Sequence, residues 1–153
     1  MQPPTTMLLR RWHKMLGLST QSPRSWYRDR VREELRERRT AATRWQELSE
    51  TSDVFFSLSR ALHDGFPVRS LPPFFSLRNT PVYLYMIAKY TLRWKFYRVA
   101  ARLCHAPHHK LVCEVINPNK KHKLEEVASR HQIDPVTFTN ISGRLRRFWP
   151  LLP

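Results

Sequence analysis

TPVYLYMIAKYTLRWKFYRVAARL, residues 80–103, is the stretch on which the fold turns. Thr80 as a cap followed by Pro81 at the first helical position opens a helix, and apolar periodicity carries it to about His105. Tyr85, Ala88, Leu92, Phe96, Val99 and Leu103 recur at helical spacing, and Tyr90, Trp94 and Tyr97 widen the face into an aromatic girdle. Lys89, Arg93, Lys95, Arg98 and Arg102 fill the remaining positions. The pattern predicts a core helix with a basic outer face.

Working upstream, Phe66 to Thr80 forms a connector rich in proline and aromatic residues, expected to pack down on the body. Before it, Thr51-Ser52-Asp53 can cap a helix from Val54 to Asp64, with Phe55, Leu58, Ala61 and Leu62 inward and Gly65 as the stop. Ser22-Pro23 reads as another helix start. Tyr27, Val31, Leu35, Ala42, Trp45 and Leu48 then give one narrow apolar stripe, interrupted by Arg38, on a long charged helix ending near Glu50.

Downstream, Lys110 to Ile116 reads as a short strand or a helix end, and Asn117-Pro118-Asn119 turns the chain. Leu124–Arg130 and Pro135–Phe148 read as a helical hairpin, with Asp134 capping the second helix. Three glycines against twelve prolines in 153 residues favour helices separated by stiff breaks over a sheet with tight hairpins. The expectation is an all-α protein, a small helical domain of four to five helices. Residues 1–22 form an N-terminal segment, 23–50 a long charged helix, and 51–153 the core domain including the 124–148 hairpin.

Charge directs the functional reading. Twenty-seven Lys and Arg stand against twelve Asp and Glu, a formal +15, and no acid falls between Asp64 and Glu114. Such a field draws polyanions. The expected contacts to a nucleic-acid backbone or another anionic surface are Lys89, Arg93, Arg98, Arg102, Lys120, Lys121, Lys123, Arg144, Arg146 and Arg147. RNA or a ribonucleoprotein leads as partner, together with neighbouring protein subunits; an anionic membrane surface is the alternative. No small-molecule substrate and no cofactor are expected.

The first acidic residue is Asp29, preceded by Arg10, Arg11, Lys14, Arg24 and Arg28 with interspersed serines. A helix there would put Leu8, Trp12, Met15 and Leu16 on one face, with the cations off it. An acid-poor, Arg- and Ser-bearing amphipathic start is the transit-peptide pattern and points to mitochondria, in the matrix or at the matrix face of the inner membrane. A surface-lying anchor and a simple basic arm remain alternatives. Cleavage, if it occurs, is expected between Gly17 and Ser25. The longest uncharged apolar stretch, Asn79 to Ala88, is about half of the ~20 residues a membrane-spanning helix needs.

Other motifs carry less. The 124–148 pair resembles a helix-turn-helix in the placing of Val127, Ala128, Ile133, Phe138, Ile141 and Leu145. It departs at Gln132, where glycine commonly makes the turn, and at His131, where an apolar residue is expected. A DNA reader built this way would present Thr137, Thr139, Asn140 and Arg144. Cys104, His105, His108, His109 and Cys113 are metal-capable groups at short spacing, but they match no standard zinc-finger pattern. Glycine-rich phosphate loops, Gly-x-Ser-x-Gly and His-Glu-x-x-His are all absent from the sequence, and adjacent Glu125-Glu126 on a helix point about 100° apart. A non-enzymatic role is expected.

Overall fold

The computed structural model describes residues 4–149; the first three residues of the N-terminal segment and residues 150–153 lie outside them. Among the described residues all regular structure is helical. The elements are α1 (Pro4–Leu16), α2 (Ser25–Arg39), α3 (Arg44–His63), α4 (Thr80–Leu103), α5 (Lys121–Arg130) and α6 (Pro135–Arg146), with a short 3-10 turn at His109–Leu111. The chain divides into two compact units, residues 1–87 and 88–153. Helix α4 gives its first two turns to one and the rest to the other.

In the first unit α2 and α1 both pack on α3. The expected single helix over 23–50 is two helices. Its interruption is capped: Thr43 Oγ1 accepts from the Gln46 amide at 3.1 Å, and Gln46 Oε1 accepts from the Ala42 amide at 3.0 Å. Thr-x-x-Gln is a helix-start pattern that the charged stripe running through it obscures. Conversely, Thr51-Ser52-Asp53 does not begin a helix. Thr51 Oγ1 donates to Glu47 O and Ser52 Oγ to Ser49 O, each at 2.6 Å, so these hydroxyls are satisfied inside α3.

Helix α1 is rotated from its expected setting. Leu9, Trp12, His13 and Leu16 are buried, while Leu8 and Met15 are exposed. The inner set follows i, i+3, i+4, i+7 spacing, and its polar member is satisfied: the His13 ring nitrogen Nε2 lies 2.8 Å from Ser59 Oγ. Trp12 meets Phe56 edge-on at 6.0 Å. The connector packs down only in part: Phe74 stacks on Tyr83 at 4.8 Å and the Tyr83 hydroxyl donates to Pro72 O at 2.7 Å, while Phe75 and Leu77 are exposed.

The second unit is built on one apolar cluster: Phe96, Tyr97, Ala100 and Ala101 of α4, Ala106 and Val112 beyond it, and Leu124, Val127, Ala128, Ile133 and Phe138 of the hairpin. This differs from the expected α4 face. Ala88, Leu92 and Val99 are half-buried and Leu103 is exposed, because the buried positions Lys89, Tyr90, Arg93, Phe96, Tyr97, Ala100 and Ala101 form one helical stripe turned roughly 100° from the expected face. Trp149 closes on this core: its Nε1 donates to Leu92 O at 2.9 Å, and its ring meets Phe96 at 5.8 Å. Residues Lys110–Ile116 form the 3-10 turn and an irregular run, not a strand.

Three helices end alike. Gly65, His105 and Gln132 take positive φ (80°, 57° and 55°). The next residue bonds back in each case, Phe66 N to Ala61 O, Ala106 N to Ala101 O and Ile133 N to Ala128 O. This left-handed stop favours glycine, and only Gly65 obeys that preference.

Candidate nucleic-acid interface

Helix α6 begins where the sequence indicates. Asp134 accepts from the Thr137 amide at 2.8 Å and from its hydroxyl at 2.7 Å, and these bonds hold the Asp134 carboxyl below the ordinary carboxylate range. With the N-terminus fixed, Phe138 and Ser142 turn inward, and Phe138 stacks on Tyr97 at 6.3 Å. The opposite face then presents Asn140, Arg144 and Arg147 to solvent at i, i+4, i+7 spacing.

Beside this face lies an open hollow of about 550 Å³, lined by Asn119, Thr139, Asn140, Gly143, Arg144, Arg146 and Arg147. Arg146 ties its far wall to α6, donating to Pro118 O at 3.2 Å and to Asn119 Oδ1 at 3.1 Å. Gly143 leaves the floor bare, since a Cβ there would meet nothing within 4 Å. The lining contains three guanidinium groups, two side-chain amides and no carboxylate. Such a set holds phosphate oxygens by charge-assisted bonds and offers amides to base edges or sugar hydroxyls.

The acids of the second unit are engaged elsewhere. Buried Glu114 accepts from Arg130 Nη1 at 2.5 Å and from His131 Nε2 at 3.0 Å. Glu126 pairs with Lys123 at 3.0 Å, and Asp134 caps α6. Glu125 is exposed and does not line the hollow.

The ten cations expected at the contact surface separate into three groups. Arg102, Lys120, Lys121, Arg144 and Arg147 are exposed. Arg98, Lys123 and Arg146 are half-buried and occupied. Arg98 donates to Val112 O at 3.1 Å and lies 3.9 Å over the Trp94 ring, which makes it a brace for the 112–113 segment. Lys89 and Arg93 correct the expected basic outer face of α4. They are only 1% and 5% exposed and lie near the Tyr90 ring, so neither reaches an external phosphate. Their long apolar stems allow α4 to bury them among aromatic neighbours, where a count of charged residues alone places them outside.

Of the residues a DNA reader would use, Asn140 and Arg144 are exposed. The Thr137 hydroxyl is committed to Asp134, and Thr139 Oγ1 is buried. The Cys104, His105, His108, His109 and Cys113 cluster does not converge. His108 Nε2 donates to His131 O at 3.0 Å, His109 Nδ1 donates to Ala106 O at 3.1 Å, and Cys113 lies by Arg98. Among the described residues, the metal-capable side chains that come together are Glu34, Glu50 and Asp53, in the first unit. There Glu34 is buried and paired with Arg30; burial first, then nearby carboxylates against that arginine, raise its carboxyl to about 7. Asn119 and Gly143 stand outside the expected site residues. Their signals are the Asn-Pro-Asn turn and a lone glycine inside a helical pattern. Set against known protein families, characterised proteins and solved structures, the chain matches none.

Proposed function

We propose that the second unit binds RNA phosphates through the exposed face of α6. On this reading the protein is a non-enzymatic accessory or structural subunit of a mitochondrial ribonucleoprotein, the mitochondrial ribosome first among these. The observation that carries the reading is the carboxylate-free hollow in which Arg144, Arg146 and Arg147 stand with Asn119 and Asn140. The mitochondrial setting rests on the acid-free, arginine-bearing N-terminal segment. Because Leu9, Trp12 and Leu16 of that segment belong to the core, it is read as an import signal that stays with the folded protein.

Single-stranded RNA and duplex DNA of equal length, titrated against the full chain over a range of salt, test this. RNA is expected to bind more tightly. Arg144→Gln with Arg147→Gln should flatten its salt dependence, by roughly 0.7 in the log–log slope for each phosphate that the variant no longer neutralises. An unchanged slope, or equal affinity for the two nucleic acids, removes the reading.

A further inference from the structure

Helix α1 has two apolar faces, and the fold uses one of them. Leu9, Trp12, His13 and Leu16 are buried, with Trp12 against Phe56 and His13 against Ser59 of α3, whereas Met7, Leu8 and Met15 are left 52%, 50% and 46% exposed. At about 100° per residue, Lys14, Met7, Arg11, Met15 and Leu8 fall within an arc of roughly 120°, with Arg10 at its margin. Arg10, Arg11 and Lys14 are all exposed. The helix contains no acid, and none precedes Asp29 in the sequence.

We propose that this outer face docks on the headgroup layer of an anionic bilayer. The strip offers hydrocarbon and positive charge interleaved at one level, and the choice of partner follows from that mixture. A nucleic acid would satisfy the three cations but leave three apolar side chains with nothing to bury against. A folded protein would have to fix six long side chains in one register, which costs their rotamer freedom. A fluid headgroup layer satisfies both chemistries without such fixing: methionine and leucine enter the acyl boundary while arginine and lysine stay among the phosphates. No described helix is long and apolar enough to cross a membrane, so the geometry is that of a helix lying on the surface.

Docking requires no further folding of this helix. The His13–Ser59 bond, the Trp12–Phe56 contact and a stacked His13–His63 pair at 5.3 Å hold α1 to α3 from its inner side. The face is therefore presented already helical, and binding avoids the ordering cost that a free amphipathic segment incurs. It is independent of the RNA reading, since the residues involved belong to different units.

The test is flotation of the full chain with two kinds of vesicle, phosphatidylcholine alone and phosphatidylcholine mixed with cardiolipin. Flotation is expected with the mixed vesicles only. The Arg10→Gln, Arg11→Gln, Lys14→Gln variant should lower partitioning on the order of a hundredfold. The Met7→Ser, Leu8→Ser, Met15→Ser variant should also lose flotation, although it keeps all three charges. Both sets of side chains are solvent-exposed, and circular dichroism with an unchanged thermal midpoint verifies that the fold survives. The Arg144→Gln, Arg147→Gln protein should float like the parent, which separates this proposal from RNA binding by α6. Equal flotation with uncharged vesicles, no flotation at all, or undiminished flotation of either triple variant overturns it.

Discussion

The two units use charge in opposite ways. The first contains fourteen Lys and Arg against eight Asp and Glu, and much of that charge is consumed within the fold. Arg30 pairs with Glu33 and Glu34, while Arg60 meets Asp64, which also accepts from the Tyr27 hydroxyl at 2.6 Å. His13 with Ser59 adds a buried polar pair to a core that also holds Leu9, Trp12, Leu16, Phe55 and Phe56. The second unit contains thirteen cations against four acids, and its core is an apolar cluster from α4 and the hairpin. Where ionisable groups are buried and shifted, as His13 and Glu34 are in the first unit, stability becomes a function of protonation. In the second unit the buried acid Glu114 is paired with Arg130 and His131, while Arg144 and Arg147 stay exposed.

Core truncations should give the largest effects. Phe138→Ala, at a fully buried position, is expected to cost roughly 3–5 kcal/mol by urea denaturation. Leu16→Ala, equally buried in the first unit, should cost roughly 2–5 kcal/mol. A loss near zero at Leu16 would show that α1 is dispensable and that the first unit's core does not include it.

Acidity sharpens the contrast next. Burial first, then the charges of His63 and Arg60, lower the His13 pKa to about 3, so the unfolded chain takes up its proton first. The stability this group confers is complete above its ordinary value of 6.5 and is lost as pH falls from there towards 3. Glu34 acts with the opposite sign: its carboxyl is raised from 4.5 to about 7, so its contribution is complete below 4.5 and is lost as pH rises through 7. The two slopes oppose each other between 4.5 and 6.5, where urea midpoints of the parent should be nearly flat. Glu34→Gln should expose the His13 slope, a loss of up to about 1.4 kcal/mol per pH unit on acidification. A flat profile in that variant would mean that His13 is not protected from protonation.

The smallest expected effects come from two glycine exchanges in the second unit. Gln132→Gly relieves a left-handed residue and should add about 1 kcal/mol. Gly143→Ala improves a helix interior whose Cβ position is open and should add about 0.5–1 kcal/mol. Thermal melts of the two single variants read both gains, and a loss at either site would reverse the local account given for it.

Much of the hairpin is legible in the sequence because its signals are local. Asp134-Pro135 specifies a cap and a first turn, and Gln132 stands where a left-handed residue is required. The 40–53 region misleads for the same reason in reverse. Thr43-x-x-Gln46 and Thr51-Ser52-Asp53 both resemble helix starts; the first caps α3, and the Thr51 and Ser52 hydroxyls bond to carbonyls one turn back inside it. The contact surface is half legible. Arg144 and Arg147 follow from helical spacing, whereas Asn119 joins them only through Arg146, twenty-seven residues away in sequence.

The sequence by itself determined the all-helical class, the stops and starts at Gly65, Thr80 and Asp134, and an excess of positive charge. These follow from backbone preferences and from a count of ionised groups, neither of which depends on distant residues. Only the tertiary structure decided which cations stay outside. Lys89 and Arg93 share the helical spacing and chemistry of their exposed neighbours, yet they are buried. Tertiary structure also decided which side of α1 is core, because a helix with apolar groups on two faces is oriented by the surface it meets. Its own periodicity does not choose between them.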